Sequence, residues 1–325
     1  MAKFKTTWDY SLKHEVARIL HACRQISVGF YKVNGFYPLP FGTPNPKDIN
    51  ILIPDLPYLD IPRFWEKCAK IDISHIEKIY DPELSPLLEK MLLQTTNSKP
   101  QIATMQKEWD QISDKFVTEL ERIIPSKKGY FKKLIVWPTN FGSAASISKN
   151  CVWVRTDQGI EAIGWTMITE LTRDDVVDKY GGLWQESQMI SDWLMGETSL
   201  SQFFPKTYNT MRALRAKQNA SMLEVSNKFL EKIGAPVIST EKVKSLDTTG
   251  FSDREKKLWQ LLSTKSPAIV SMDEVGSTLF GDNEDAFSLY AVSKAIQRMR
   301  DRLEKSGISG SFIQTKRGEG YLLVN

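Results

Sequence analysis

One stretch of the sequence has the spacing of a metal-dependent hydrolase motif. In HExxH, two histidines one helical turn apart bind zinc and the glutamate activates a water molecule. Residues 169–173 are Thr-Glu-Leu-Thr-Arg, so only Glu170 of that chemistry is present. Threonine and arginine supply no imidazole nitrogen, and the arginine puts a positive charge in the place of the cation. The stretch therefore predicts no metal site, no cofactor and no catalysis, with Glu170 as a vestigial catalytic residue.

Other side chains that could do chemistry are sparse. His14 and His21 lie two helical turns apart, and an unusual metal site there is an alternative to ordinary surface or core histidines. Two SxxK spacings, in 146–149 and 239–242, match a serine–lysine nucleophile pair. Neither has the SDN or KTG partners of such enzymes, so we attribute both spacings to chance.

Basic residues lie on two elements near the end of the chain. Between residues 288 and 305, apolar residues recur three and four apart, which predicts a helix whose apolar stripe faces the core. The stripe is Leu289, Val292, Ile296, Met299 and Leu303, and the opposite face carries Tyr290, Lys294, Gln297, Arg298 and Asp301. Residues 312–324 then predict two strands joined by a turn at 318–320. Lys316 and Arg317 fall near the tip of that hairpin.

Two shorter helices are predicted before this one. Ser252 with Glu255, and Ser271 with Glu274, have the spacing of capping boxes, in which each side chain bonds the other residue's backbone N–H. Three helices followed by a basic hairpin suit a helix in the major groove of DNA and an arginine that reaches phosphate or the minor groove. Residues 251–325 carry eleven Lys+Arg and ten Asp+Glu. Any positive surface must therefore come from segregation of charge onto one face.

Residues 288–305 and 313–324 together resemble the recognition helix and wing of the OmpR/PhoB-type winged-helix domain. The resemblance covers residues 251–325 and implies a winged helix-turn-helix fold and double-stranded DNA as partner. It implies helix contacts by Lys294, Gln297, Arg298 and Arg300, and wing contacts by Thr315 and Arg317. Lys316 is a further candidate DNA contact because it lies beside Arg317 near the hairpin tip. This sequence departs from the family in having little room for the sheet that usually precedes the first helix.

The first two thirds of the sequence predict a mainly helical α+β domain with a small sheet. Helical periodicity covers residues 11–31, 102–124, where Pro125 follows, and roughly 159–173, and short β-prone runs lie between 132 and 156. The proline-rich residues 37–62 predict loops and short helices, because proline lacks a backbone donor. Residues 138–148 lie where an edge strand would run, and Glu186 falls on a later helix.

This order of elements resembles a degenerate zincin metallopeptidase that lacks the HExxH histidines. The resemblance implies a zincin-like domain over residues 1–236, followed by a polar linker at 237–250 and the winged helix at 251–325. A cleft that has lost its metal ligands suggests a peptide or small-molecule ligand.

Composition places limits on location and partners. The 325 residues carry 43 Lys+Arg and 39 Asp+Glu, so the formal charge is only +4. The cysteines at positions 23, 68 and 151 are few and far apart, which predicts buried, reduced thiols. We expect a cytoplasmic protein, because the sequence has no apolar run long enough for a signal peptide or a membrane span.

The sequence as a whole predicts a DNA-binding transcription regulator that is not an enzyme. Its N-terminal domain would sense a ligand or act as a scaffold, and a homodimer is compatible with this role. Two alternatives remain open. One is a peptidase localised by its winged helix, and the other is a protein-interaction adaptor that does not bind DNA.

Overall fold

The computed structural model describes residues 4–44, 49–55, 61–95, 102–180, 182–204, 220–238, 240–281 and 288–324. Their buried apolar side chains form two separate clusters. The larger cluster extends from Val16 to Ile233, and the smaller from Ile238 to Leu323. The chain therefore combines helices and sheets around two cores, divided near residue 235.

Strands in the larger core form two sheets. They are β1 (Lys5–Trp8), β2 (Tyr37–Pro40), β3 (Asn50–Ile53), β4 (Lys133–Thr139), β5 (Ala145–Ser148) and β6 (Cys151–Arg155). The main sheet has the order β1-β4-β6-β5, with β5 as an antiparallel edge strand beside three parallel strands. All residues of β6 are buried, as expected for an inner parallel strand covered on both faces. The edge strand lies within the predicted stretch.

The helices of the larger core pack on the two sheets or on one another. They are α1 (Leu12–Ser27), α2 (Phe30–Val33), α3 (Ile61–Lys70), α4 (Leu84–Thr95), α5 (Ala103–Ile123), α6 (Glu161–Asp174), α7 (Trp184–Glu197) and α8 (Ala220–Lys232). Ser11 begins α1 because its hydroxyl accepts the backbone N–H of His14 at 3.2 Å. Most of the apolar stripe of α5 is buried, Ile112 and Ile123 are partly buried, and Pro125 follows its last turn. The three helices predicted from periodicity are confirmed.

The expectation of only loops and short helices in the proline-rich segment is wrong. Residues 37–40 pair in parallel with 50–53, although two of the four residues of β2 are prolines. The N–H groups of Tyr37 and Phe41 donate to Ile49 and Ile53 at 3.1 and 2.7 Å. Pro38 and Pro40 alternate with these donors, so their missing N–H groups fall on the side away from β3.

The smaller core is built by the last elements of the chain. They are α9 (Thr240–Lys244), α10 (Asp253–Lys265), β7 (Val270–Ser271), α11 (Met272–Phe280), α12 (Leu289–Lys305), β8 (Ile313–Lys316) and β9 (Gly320–Leu323). The strands form an antiparallel sheet in the order β7-β9-β8. Three of these helices, α10, α11 and α12, packed on the sheet with its terminal hairpin, make this part a winged helix, as predicted.

The predicted local signals of this domain are present. Ser252 and Glu255 form a capping box at α10, and Ser271 and Glu274 form one at α11. Each cap contributes about 1 kcal/mol.

Val292, Ile296, Met299 and Leu303 of the apolar stripe of α12 are buried, but Leu289 is 62% exposed. The prediction that the whole stripe faces the core is wrong at Leu289, because the first residue of α12 lies beyond the edge of the packed core.

The predicted linker contains structure. Within residues 237–250, Ile238 and Val243 are 2% and 0% exposed and pack in the same cluster as Phe251. In the described residues between 220 and 252, helices occur but no strand, in agreement with the limited room for a preceding sheet. The exact domain boundaries stay a prediction.

Candidate nucleic-acid interface

The solvent face of α12 presents polar and basic side chains. Lys294 and Arg298 are exposed, and Gln297 lies beside them, half-buried. The Gln297 amide donates to an Asp301 carboxylate oxygen at 3.0 Å, one turn further along the helix. Lys294 Nζ lies 5.5 Å from the ring centroid of Tyr290, a cation–π contact at the start of the helix. This face can donate hydrogen bonds to base edges or phosphates, and Asp301 limits its positive charge.

Arg300 lies elsewhere on the helix. It is 7% exposed, and its guanidinium donates to the Ile313 carbonyl at 3.1 Å and to the Thr315 hydroxyl at 2.9 Å. Burial lowers the pKa of Arg300 from its ordinary value. Both partners are on β8, so Arg300 fixes the helix to the first strand of the hairpin. The predicted DNA contacts by Arg300 and Thr315 are untested, and this placement favours a positioning role for both.

The wing is the β8–β9 hairpin, and its tip carries the cations predicted from the sequence. Lys316 and Arg317 are exposed at the turn, where Gly318 has φ +75° and Glu319 N–H donates to the Lys316 carbonyl at 2.9 Å. Tyr321 in β9 is 3% exposed and pairs with both Val270 and Thr315. The wing is therefore anchored at its base while its two cations stand at the surface.

Arg317 already has an acidic neighbour in the N-terminal part. Its Nε lies 2.7 Å from Oε1 of Glu186, in the first turn of α7. The Arg317 side chain is 74% exposed, so this ion pair is accessible to solvent. Exposed pairs of this kind contribute at most about 1 kcal/mol. The wing tip thus rests on the N-terminal domain without being buried by it.

Further contacts join the two cores. The backbone N–H of Ser309 donates to the Val28 carbonyl at 2.8 Å, and Lys32 Nζ donates to the Ile238 carbonyl at 3.1 Å. Arg24 and Glu304 form an ion pair at 3.1 Å. These contacts involve α1, α2 and the segment between them. The winged helix therefore packs on the end of α1.

Comparison with known proteins assigns the C-terminal part. Residues 247–323 match the family model described as "Transcriptional regulatory protein, C terminal". This is the OmpR/PhoB-type DNA-binding domain, so the resemblance of the last elements is confirmed and supports a DNA-binding transcription regulator. No curated protein and no solved structure matches the chain. The predicted likeness of residues 1–236 to zincin metallopeptidases finds no support in these comparisons.

Within the N-terminal domain, α6 carries the stretch that has HExxH spacing. Thr169 and Arg173 line a cavity, whereas Glu170 is absent from its lining. Glu170 is 3% exposed, and one of its oxygens accepts the Asn150 N–H at 3.0 Å and the Tyr130 hydroxyl at 3.4 Å. Among the described residues, no group of three or more His, Cys, Asp or Glu side chains could hold a metal ion.

None of the described helices is both long and apolar enough to cross a membrane.

The two candidate histidines do not face each other across a site. The His14 ring packs on Trp137 with centroids 4.6 Å apart, and the His21 ring packs on Trp153 with centroids 5.8 Å apart. His21 Nδ1 accepts from Arg18 Nη1 at 2.9 Å. Burial, together with the charge of Arg18, holds the pKa of His21 well below its usual value. The three cysteines are buried and free, as predicted.

Two buried residues were missed from the sequence. Arg18 is 1% exposed, although it falls among the charged positions of an amphipathic helix. Its Nε and Nη2 donate to the Ser143 carbonyl at 3.2 and 2.8 Å. Gln188 is also 1% exposed and lines the same cavity. No local signal marks either position, because their surroundings come from distant segments of the chain.

Glu170 predicts a pH dependence of stability. Burial raises the pKa of Glu170 from 4.5 to about 7 in the folded chain. Between these two pH values the folded state keeps a proton on Glu170 that the unfolded state releases. Stability from this group is complete below about pH 4.5 and is lost as pH rises through about 7. Relative to wild type, Glu170→Gln should gain stability between about pH 5 and pH 8, as measured by urea unfolding. Exposed Glu108→Gln is the control, and equal pH profiles for wild type and Glu170→Gln would contradict the assignment.

Proposed function

We propose that this DNA-binding transcription regulator places α12 in the major groove of double-stranded DNA. Lys294, Gln297 and Arg298 face the bases and adjacent phosphates, and Lys316 and Arg317 contact the backbone or the minor groove. The proposal rests on one observation: the free face of α12 exposes Lys294 and Arg298, and the wing tip exposes Lys316 and Arg317, so the two elements with which a winged helix meets DNA both carry accessible cations. The family match is independent support.

For the N-terminal domain we infer a sensing or scaffolding role without catalysis. Its cavity contains Thr169 and Arg173 where a zincin-like enzyme would need imidazoles, and this pair supplies no zinc ligand set. A peptide or a small molecule is the ligand expected for such a site. A cytoplasmic location follows from the proposed encounter with chromosomal DNA, and a homodimer would match an operator with two half-sites.

The test is the affinity of the full chain for duplex DNA over a salt series. Arg298→Ala should weaken binding about 10–100-fold if Arg298 reads a base, and should lower the salt slope by about one unit if it contacts a phosphate. Fluorescence anisotropy with labelled random duplexes measures both quantities. Sequencing the random duplexes that the chain retains in a separate selection would show whether half-sites repeat at about one helical turn.

The control is Lys107→Ala, which removes one positive charge from the exposed side of α5 in the N-terminal domain. It should leave affinity and salt slope unchanged. No binding by wild type at low salt would refute the DNA-binding role and favour a protein-interaction adaptor. Equal losses in the two variants would show that net charge, rather than the face of α12, determines binding.

A further inference from the structure

The cavity beside α6 has the size of a small-molecule site. Its volume is about 370 Å³, and its walls come from α1, α2, α6, α7, the start of β5 with the segment before it, and the loops that carry Phe36 and Ile73. Ligand sites in proteins commonly measure about 300–1,000 Å³. The walls come from several separate elements, so the cavity forms only when the chain is folded.

Arg18 places a buried positive charge in the wall of this cavity. Its polar partners include the Ser143 carbonyl and hydroxyl, the neutral His21 ring and the Tyr31 hydroxyl, and its guanidinium carbon lies 5.4 Å from the Trp153 ring centroid. Among the described residues, no carboxylate lies within ion-pair distance of Arg18. Glu15 interacts electrostatically with Arg18, but its carboxylate accepts from the Thr139 hydroxyl and the Asn140 N–H and forms no ion pair with the guanidinium. A buried guanidinium without a direct ion pair is costly, and an entering anion would offset that cost.

Two further polar groups line the cavity. Arg173 is partly exposed, and its only ion pair among the described residues is a 3.4 Å contact with the adjacent Asp174. The side-chain oxygen of Gln188 is buried and has no hydrogen-bond partner in the described part of the chain. Two guanidinium groups favour a carboxylate or phosphate, and an unpaired amide oxygen favours a hydroxyl or amino donor on the same molecule.

The remaining wall is aromatic. The ring of Trp184 lies 5.4 Å from Phe30 and 5.3 Å from Phe36, and the ring of Tyr31 lies 5.3 Å from Phe36. These four residues all line the cavity, which also contains Trp165. Clustered aromatic rings favour a ligand with a flat or bulky apolar body. That preference selects an organic acid over an inorganic anion.

We propose that this cavity binds a small organic acid with an aromatic body, its anionic group paired with Arg18 and Arg173 and a neighbouring donor bonded to Gln188. The inference deepens, and rests on, the sensing role proposed for the N-terminal domain. Its test requires no DNA, so it can fail while DNA binding stands, and DNA binding can fail while it stands.

The experiment is isothermal titration calorimetry of the full chain with benzoate, phenylacetate and 3-phenyllactate. Each acid is compared with its neutral primary amide, which keeps the ring and removes the charge. We expect saturable binding of at least one acid, strongest for phenyllactate because it carries a hydroxyl donor, and at least about tenfold weaker binding of the amides. Arg173→Gln should weaken acid binding about tenfold, and Lys107→Gln is its charge-matched control.

Gln188→Glu is a second variant of nearly the same shape. It places a carboxylate in the cavity, where it competes with the ligand for the guanidinium groups, so acid binding should fall at least as far as in Arg173→Gln. Circular dichroism establishes that each variant is folded. The proposal is overturned if none of the three acids binds at about 10 mM, if acids and amides bind equally, or if both folded variants bind the acids as wild type does.

Discussion

Gly320→Val should unfold the wing and abolish DNA binding. Gly320 begins β9 with φ +149°, a backbone conformation that residues with a side chain rarely adopt. A Cβ built there would lie 1.9 Å from the Val270 carbonyl oxygen of β7, so the two strands could not stay paired. Loss of the β7–β9 contact removes the support of the wing. We expect a loss of at least about 3 kcal/mol in unfolding free energy, measured with urea.

The matched control lies two residues earlier in the same turn. Gly318 has φ +75°, but an added Cβ would meet no atom within 4 Å. Gly318→Ala should therefore cost only about 1–2 kcal/mol of backbone strain and should keep measurable DNA affinity. If Gly320→Val binds DNA as tightly as Gly318→Ala, the closed three-stranded sheet is not needed for the interface.

Trp109→Ala should destabilise the N-terminal domain by about 3–5 kcal/mol. The Trp109 ring is fully buried and lies 5.6 Å from the ring of Phe116 on the same helix. Its indole N–H donates to the Thr6 hydroxyl at 3.0 Å, which joins α5 to the first strand of the main sheet. The substitution removes this bond and leaves a cavity that the surrounding helices cannot fill.

Trp193→Ala makes the same chemical change at the surface. Trp193 lies on α7 and is 57% exposed, so we expect a change of less than about 0.5 kcal/mol. Urea unfolding followed by circular dichroism compares the two variants. Similar losses in both would contradict the placement of Trp109 in the core.

The C-terminal domain could be predicted because its signals are local. Each capping box is contained in four residues, and the glycines of the wing turn lie next to the cations they present. The same reasoning does not show that Arg300 is buried. At 3.6 residues per turn it is rotated by about 120° from Lys294, so it points toward the wing strand and away from the exposed face. Sequence distance along a helix does not show which neighbour covers each flank.

The N-terminal domain was less predictable because its site depends on contacts between distant segments. Arg18 meets the Ser143 carbonyl 125 residues later, and nothing near Arg18 in sequence indicates its burial. The helix that carries Thr169, Glu170 and Arg173 was predicted correctly. Which of those side chains face the cavity depends on the packing of α6 against the sheet and α7, which periodicity does not specify.

The ion pair between Arg317 and Glu186 changes what DNA binding must accomplish. A guanidinium group that is paired with a carboxylate is less available to a phosphate. In the proposed complex, DNA and the N-terminal domain are therefore rivals for one side chain, and binding exchanges one anion for another. Glu186, once released, would recruit a cation from solution and offset part of the counterion release from DNA. The salt dependence contributed by Arg317 should consequently be weaker than that of a free surface arginine such as Arg298.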